Sequence, residues 1–237
     1  MKNLIFAVVA AVALVGCAAV GPTAREGKVQ NLLNEKEQSV AVIAAFTAKG
    51  DLEALRVALN EGLDAGLTVN EIKEVLIQMY AYTGFPRSLN GLNTFIEVVA
   101  AREQKGIKDV AGVEASAPPK DKLAEGTKIQ TYLIGAPAKG AVYEFAPAID
   151  RYLKEHLFGD IFTRGVLEYK DRELATIAAL SALGVEAQLR GHLNVALNIK
   201  IGADELYELS SVISQKVGEK EGELIKQTLA KILREKK

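Results

Sequence analysis

Glu173 and His192 stand on either side of Gly184, each in a stretch of helical composition. Helical spacing places Val185, Leu189, His192, Ala196 and Ile199 on one face, so the imidazole lies against an apolar surface. A carboxylate beside such an imidazole fixes its tautomer and orientation, an arrangement suited to proton transfer at carbon or oxygen. The same pattern also describes a core histidine satisfied by a backbone carbonyl or by Glu173. A second candidate set is Tyr80, Tyr82 and Arg87, grouped around Gly84 and Pro86. Arg87 has the planar fork that holds a carboxylate with two hydrogen bonds. Either tyrosine can donate a hydrogen bond to a developing enolate. Equally, the tyrosines can be packing aromatics, with Gly84 making a turn and Pro86 opening a helix over Arg87–Ala101.

Other polar residues read as structural. His156 sits among charges in Tyr152-Leu153-Lys154-Glu155-His156 and reads as surface. Asp160 and Arg164 read as anchors of the loop before the Glu173 helix. The pairs Glu71/Glu74 and Glu205/Glu208 fall at helix starts, where carboxylates complement the dipole.

Composition narrows the chemistry. The chain has 237 residues and a formal net charge of −1, which leaves no electrostatic footprint for nucleic acid. One cysteine, Cys17, excludes an internal disulfide, a CxxC redox pair and a Cys-rich zinc site. Two histidines argue against a histidine metal cage, and nothing calls for a metal or other cofactor.

Residues 1–17 read as an address. Lys2 precedes an uninterrupted apolar run from Leu4 to Val15. That run is too short to span the hydrocarbon core, which takes about 20 helical residues, and fits the apolar region of a secretory signal. It ends Leu14-Val15-Gly16-Cys17, which resembles a bacterial lipobox. The expectation is an exported lipoprotein, acylated at Cys17 and held by that lipid on the periplasm-facing side of the cell envelope.

The remainder reads as all-α, built of amphipathic helices rich in Ala, Leu, Glu and Lys. It also matches itself. Ala48, Gly50, Leu55, Arg56, Leu59, Asn60, Leu63 and Glu71 align without a gap on Ala182, Gly184, Leu189, Arg190, Leu193, Asn194, Leu197 and Glu205. Each copy then holds a helix, a glycine break, a second helix, a turn and a third helix. Thr68 to Glu71 has capping-box spacing at the third helix, and Gly202 to Glu205 takes that place in the second copy. Pro118-Pro119 interrupts the pattern. The expected organisation is a signal over 1–17, a first repeat over 18–117, a linker over 118–142 and a second repeat over 143–237. The copies differ where chemistry is concerned: His192 faces Ala58 and Glu173 faces Ser39.

The stretches Leu157-Phe158-Gly159-Asp160-Ile161-Phe162, Arg164 to Leu167, Arg172 to Leu180 and Gln188-Leu189-Arg190-Gly191-His192 resemble the carboxymuconolactone decarboxylase family. Glu71 to Val75, leading into Tyr82-Thr83-Gly84-Phe85-Pro86, resembles the second half of that family's domain. The wider family is alkylhydroperoxidase D-like. The resemblance implies two fused all-α repeats in one compact unit and a homo-oligomeric ring, a trimer or hexamer. The family's peroxidases carry Glu-x11-Cys-x2-Cys-x3-His. Here that frame reads Glu173, Val185, Gln188 and His192, without a thiolate for peroxidase chemistry.

The resemblance implies a lyase acting on a small lactone or keto carboxylic acid. His192 would donate the proton, Glu173 would orient it, and Arg87 with Tyr80 or Tyr82 would bind the carboxylate or the enolate oxygen, in a site composed of both copies. The alternative is a non-catalytic ring that binds a small acid or scaffolds other envelope proteins.

Overall fold

A computed structural model describes residues 32–236; Cys17 and the rest of the expected signal lie outside the described residues. The elements run α1 (Glu35–Lys49), α2 (Leu52–Asp64), α3 (Val69–Gln104), α4 (Lys122–Ile134), α5 (Ala141–Phe145) and α6 (Pro147–Tyr152). A π-helical turn (Leu153–Ile161) and a 3-10 turn (Phe162–Arg164) follow, then α7 (Tyr169–Leu183), α8 (Glu186–Asn198), α9 (Ala203–Lys216) and α10 (Glu219–Glu235). Among the described residues there is no strand, and no helix is long and apolar enough to cross a membrane.

The duplication is visible element by element. The register that carries Gly50 onto Gly184 carries α1 onto α7 and α2 onto α8 at both ends, and the start of α3 onto the start of α9. It also carries Gly84 onto Gly218. Gly84 is non-helical (φ 76°, ψ 165°) and splits α3 into two helices, the second opening on Pro86. That second half corresponds to α10. The local signals do what their chemistry dictates. Thr68 and Glu71 form a reciprocal capping box, and the Glu205 carboxylate accepts from the Gly202 N–H at 2.7 Å. Gly50 and Gly184 end α1 and α7 in the left-handed conformation.

One expectation changes at the centre. α1 and α7 are not amphipathic: Val40 to Ala48 and Arg172 to Ser181 are buried without interruption. A helix enclosed on all sides has no polar face to display. Their alanines let the two pack side by side in the same direction. Lys170 joins Glu37 at the N-terminal ends (2.7 Å), while Lys49 and Ser181 both bond Glu221 at the C-terminal ends. The remaining repeat helices wrap this pair.

The stretch expected as a linker carries structure. α4 packs on the π-helical turn through two glycines. A Cβ on Gly126 would lie 1.7 Å from the Lys154 carbonyl oxygen, and one on Gly159 would lie 2.4 Å from that of Lys122. Ile129 and Leu133 meet Leu157, Phe158, Ile161 and Phe162 in a second apolar cluster, which covers Tyr80, Tyr82, Tyr169, Val195 and Ile199. The Asn198 side-chain amide donates to the Tyr132 and Leu133 carbonyls, fixing the end of α4 on α8.

Candidate functional site

The chain reverses at Gly184, so α8 runs back along α7 and His192 comes level with Glu173. The His192 Nδ1–H donates to Glu173 Oε2 at 2.8 Å. Glu173 is 1% exposed, whereas the His192 side chain keeps 20% of its surface. Nδ1 is committed to the carboxylate, which leaves Nε2 as the nitrogen free to exchange a proton with another molecule.

Tyr82 joins this pair from the first copy. It lies in the last turn of α3 before Gly84, and its ring meets His192 edge-on at 5.7 Å between centroids. Its hydroxyl is enclosed, has Thr176 as a neighbour, and meets no partner at hydrogen-bonding geometry among the described residues. Burial, and then the charge of Glu173, push the phenol above its ordinary value, with Thr176 and Arg172 pulling less strongly the other way. Tyr82 is therefore a protonated, unengaged donor at neutral pH.

Tyr80 and Arg87 do not reach the pair. Two residues along a helix turn a side chain by about 200°. Tyr80 accordingly points away, stacked on Phe85 at 4.1 Å and edge-on to His156 at 5.5 Å. Arg87 follows the Gly84 break and turns toward the end of α1. There its guanidinium donates to the Ala48 carbonyl and packs against Gly50. It caps a helix through one terminal nitrogen, away from the His192 pair.

Behind the pair lies a polar network that sequence reasoning missed. Arg172 is fully buried and donates to Gln78 Oε1 (2.8 Å) and Glu74 Oε1 (2.9 Å). Gln78 in turn donates to Thr176 Oγ1 and to the Arg172 carbonyl. Arg164 closes the network, its Nε donating to both Glu74 oxygens at 3.0 and 2.8 Å. Glu74 is therefore no solvated dipole partner: its side chain is 2% exposed and holds two arginines. Burial acts against the Arg172 charge and Glu74 acts for it, with burial prevailing. The Arg172 Nε finds no partner, and the guanidinium carbon lies 5.2 Å from the Phe162 ring centroid.

The matching place in the first copy is open. There Ser39, Val42, Ala58, Glu61 and Lys216 occupy the register positions of Glu173, Thr176, His192, Val195 and Tyr82, and they line a groove of about 420 Å³. Lys216 and Glu61 pair across it at 2.9 Å. Among the described residues no counterpart of α4 covers that surface.

The sequence profile of the carboxymuconolactone decarboxylase family matches residues 22–97 and 147–218. The chain belongs to the carboxymuconolactone decarboxylase family. The two matches form a tandem, and Tyr82 comes from the first, Glu173 and His192 from the second. A 4-carboxymuconolactone decarboxylase of Acinetobacter baylyi is 30% identical over 92 residues, which is 37% of this chain and 69% of that protein. An uncharacterised protein of Methanocaldococcus jannaschii is 29% identical over 66 residues, 28% of this chain and 62% of that protein. α4 lies between the two family segments.

Proposed function

We propose that the protein is a carboxy-lyase of the carboxymuconolactone decarboxylase type, acting on a small lactone or keto carboxylic acid by proton transfer at His192. The observation that carries this reading is the His192–Glu173 hydrogen bond of 2.8 Å from a buried carboxylate to a partly exposed imidazole. When the substrate carboxylate leaves as carbon dioxide, the electron pair of the broken C–C bond passes to the adjacent carbonyl as an enolate. The Tyr82 hydroxyl, protonated but enclosed in the free protein, donates to that oxygen once substrate entry displaces the covering α4 cluster. The protonated imidazole then delivers its Nε2 proton to the carbon and regains one from water, while Glu173 holds the ring in position. The only cysteine is Cys17, and Val185 and Gln188 occupy the two cysteine positions of the peroxidase frame. A thiol peroxidase cycle therefore has no nucleophile at this site.

A second reading is a ring-forming member that binds a small acid or scaffolds other proteins without turnover. It is favoured by Arg87, which spends its guanidinium on Ala48 and leaves no exposed arginine fork beside His192. Incubation of the purified chain with a panel of carboxylactones and keto acids, following released carbon dioxide and product, separates the two. Turnover is expected to fall by about 10²–10⁴ in His192→Gln with the fold retained. Absence of turnover across the panel, or a fully active His192→Gln, ends the decarboxylase reading. Binding without product would leave the second, and product without carbon dioxide would indicate isomerisation or hydrolysis. Anchorage at the envelope through Cys17 belongs to the same proposal, tested by fatty-acid labelling of wild type against Cys17→Ser. The trimeric or hexameric state is tested by sedimentation.

A further inference from the structure

The π-helical turn presents a second histidine–carboxylate pair on the far side of Tyr80 from His192. His156 Nδ1 lies 3.1 Å from Asp160 Oδ2, and Lys122 Nζ lies 2.7 Å from Asp160 Oδ1. Burial raises the Asp160 carboxyl, but the hydrogen bonds from Lys122 and His156 outweigh it and hold the group below its ordinary value. Asp160 is thus charged and engages the His156 Nδ1, which leaves Nε2 outside the pair. The pair borders a groove of about 240 Å³. Arg164 stands in the same groove. It reaches Glu74 through Nε, and its two terminal nitrogens make no hydrogen bond to the protein among the described residues while its side chain is 32% exposed.

We infer that this groove, walled by Ile77, Tyr80, Pro118, His156, Ile161 and Arg164, binds the carboxylate of a small organic acid. Three features converge on that chemistry. The terminal nitrogens of Arg164 offer two parallel N–H donors, the geometry a carboxylate accepts. The local charge is matched to a monoanion: Arg164, Arg172 and Lys122 stand against Glu74 and Asp160, which leaves one positive charge. Ile77, Ile161, Pro118 and the Tyr80 ring make most of the rest apolar, with Ser116 and the Asp160 carboxylate, held by Lys122 and His156, completing the wall, so the groove accepts a hydrocarbon body and excludes a highly charged one. The volume is below the roughly 300 Å³ at which pockets begin to take drug-sized ligands, which selects a small acid. Tyr80 thus serves a carboxylate-binding surface that is separate from the His192 pair.

Two histidines make the test direct. Ring-labelled histidine gives signals only from His156 and His192, assigned with His156→Gln. Titrating the full chain with benzoate is expected to shift the His156 signals saturably and leave His192 in place, while benzamide, of the same shape but uncharged, shifts neither. Arg164→Gln is expected to weaken benzoate at least tenfold. Arg164 also contacts buried Glu74, so an undisturbed His192 signal verifies that this variant is folded. Ile77→Trp, which fills the groove without touching the network, is expected to abolish the response and decides the matter if Arg164→Gln is unfolded. A response at His192 instead of His156 overturns the groove and leaves the decarboxylase reading standing. No response at either ring, equal responses to benzamide, or an unchanged His156 response in Ile77→Trp overturns it as well.

Discussion

Glu74 is the residue on which the interior most depends, and Glu74→Gln measures that dependence. In the native chain its carboxylate accepts from fully buried Arg172 at Oε1, while the Arg164 Nε–H donates to both of its oxygens. Glutamine keeps one acceptor oxygen but turns an N–H toward a cation and removes the negative charge. Arg172 then remains enclosed with only Gln78 as a neutral partner. Breaking a buried pair by removing one partner costs about 3–5 kcal/mol, because the surviving charge is left uncompensated. At about 2–4 °C per kcal/mol for a chain of this size, the melting temperature falls by roughly 6–20 °C. Urea and thermal unfolding by circular dichroism read both quantities. The double variant Glu74→Leu/Arg172→Leu is expected to recover much of the loss, since paired removal leaves no orphan charge. A loss below about 1 kcal/mol in Glu74→Gln would refute the claim that this carboxylate compensates two arginines.

Three further outcomes follow from the same geometry. Burial, and then Glu37, raise the Asp171 carboxyl from its ordinary 3.8 to about 6, so the folded state favours the proton. That preference stabilises fully below about pH 4 and is lost as pH rises through 6, so Asp171→Asn is expected to raise stability at pH 7.5 by up to roughly 3 kcal/mol and to lose the gain in acid; a gain independent of pH contradicts the assignment. Tyr82→Phe removes an enclosed hydroxyl with no protein partner, so unfolding should show no loss of stability, whereas turnover should fall about 10²-fold if the hydroxyl serves the enolate; a stability loss without a kinetic effect reverses that role. Gly126→Ala places a carbon against the Lys154 carbonyl and should cost about 1–3 kcal/mol or more, read as early loss of α4 protection in hydrogen exchange; normal protection would mean the α4 contact is dispensable.

The helices, the glycine reversals, the capping box at Thr68 and the repeat register were legible because each rests on residues close in sequence. The spacing across one helical hairpin permitted the Glu173–His192 bond without fixing it, since a backbone carbonyl could equally have satisfied the imidazole. What escaped is what depends on distant partners. Glu74 is the sixth residue of α3 and reads locally as a dipole carboxylate, but Arg164 and Arg172 arrive from 90 and 98 residues away. α4 lay hidden behind Pro118-Pro119 because its apolar face has meaning only against the π-helical turn. Tyr80, Tyr82 and Arg87 were grouped by proximity along the chain. A helix sends the two tyrosines to opposite sides, and the Gly84 break sends Arg87 to a third place.

The two copies share a backbone register but not a site, and the reason is the insertion between them. α4 and the π-helical turn bury Tyr82, Val195 and Ile199, so the second copy keeps aromatic and aliphatic residues around His192. Among the described residues the first copy has no such cover, and at the same register it carries Lys216, Glu61 and Ala65, residues that water tolerates. Without a roof, an imidazole at Ala58 and a carboxylate at Ser39 would face solvent, where an ion pair contributes about 0–1 kcal/mol and orients little. That Glu173 and His192 lie under the roof, while Ser39 and Ala58 stand at their register in the groove, fits where the described chain can hold a carboxylate out of water.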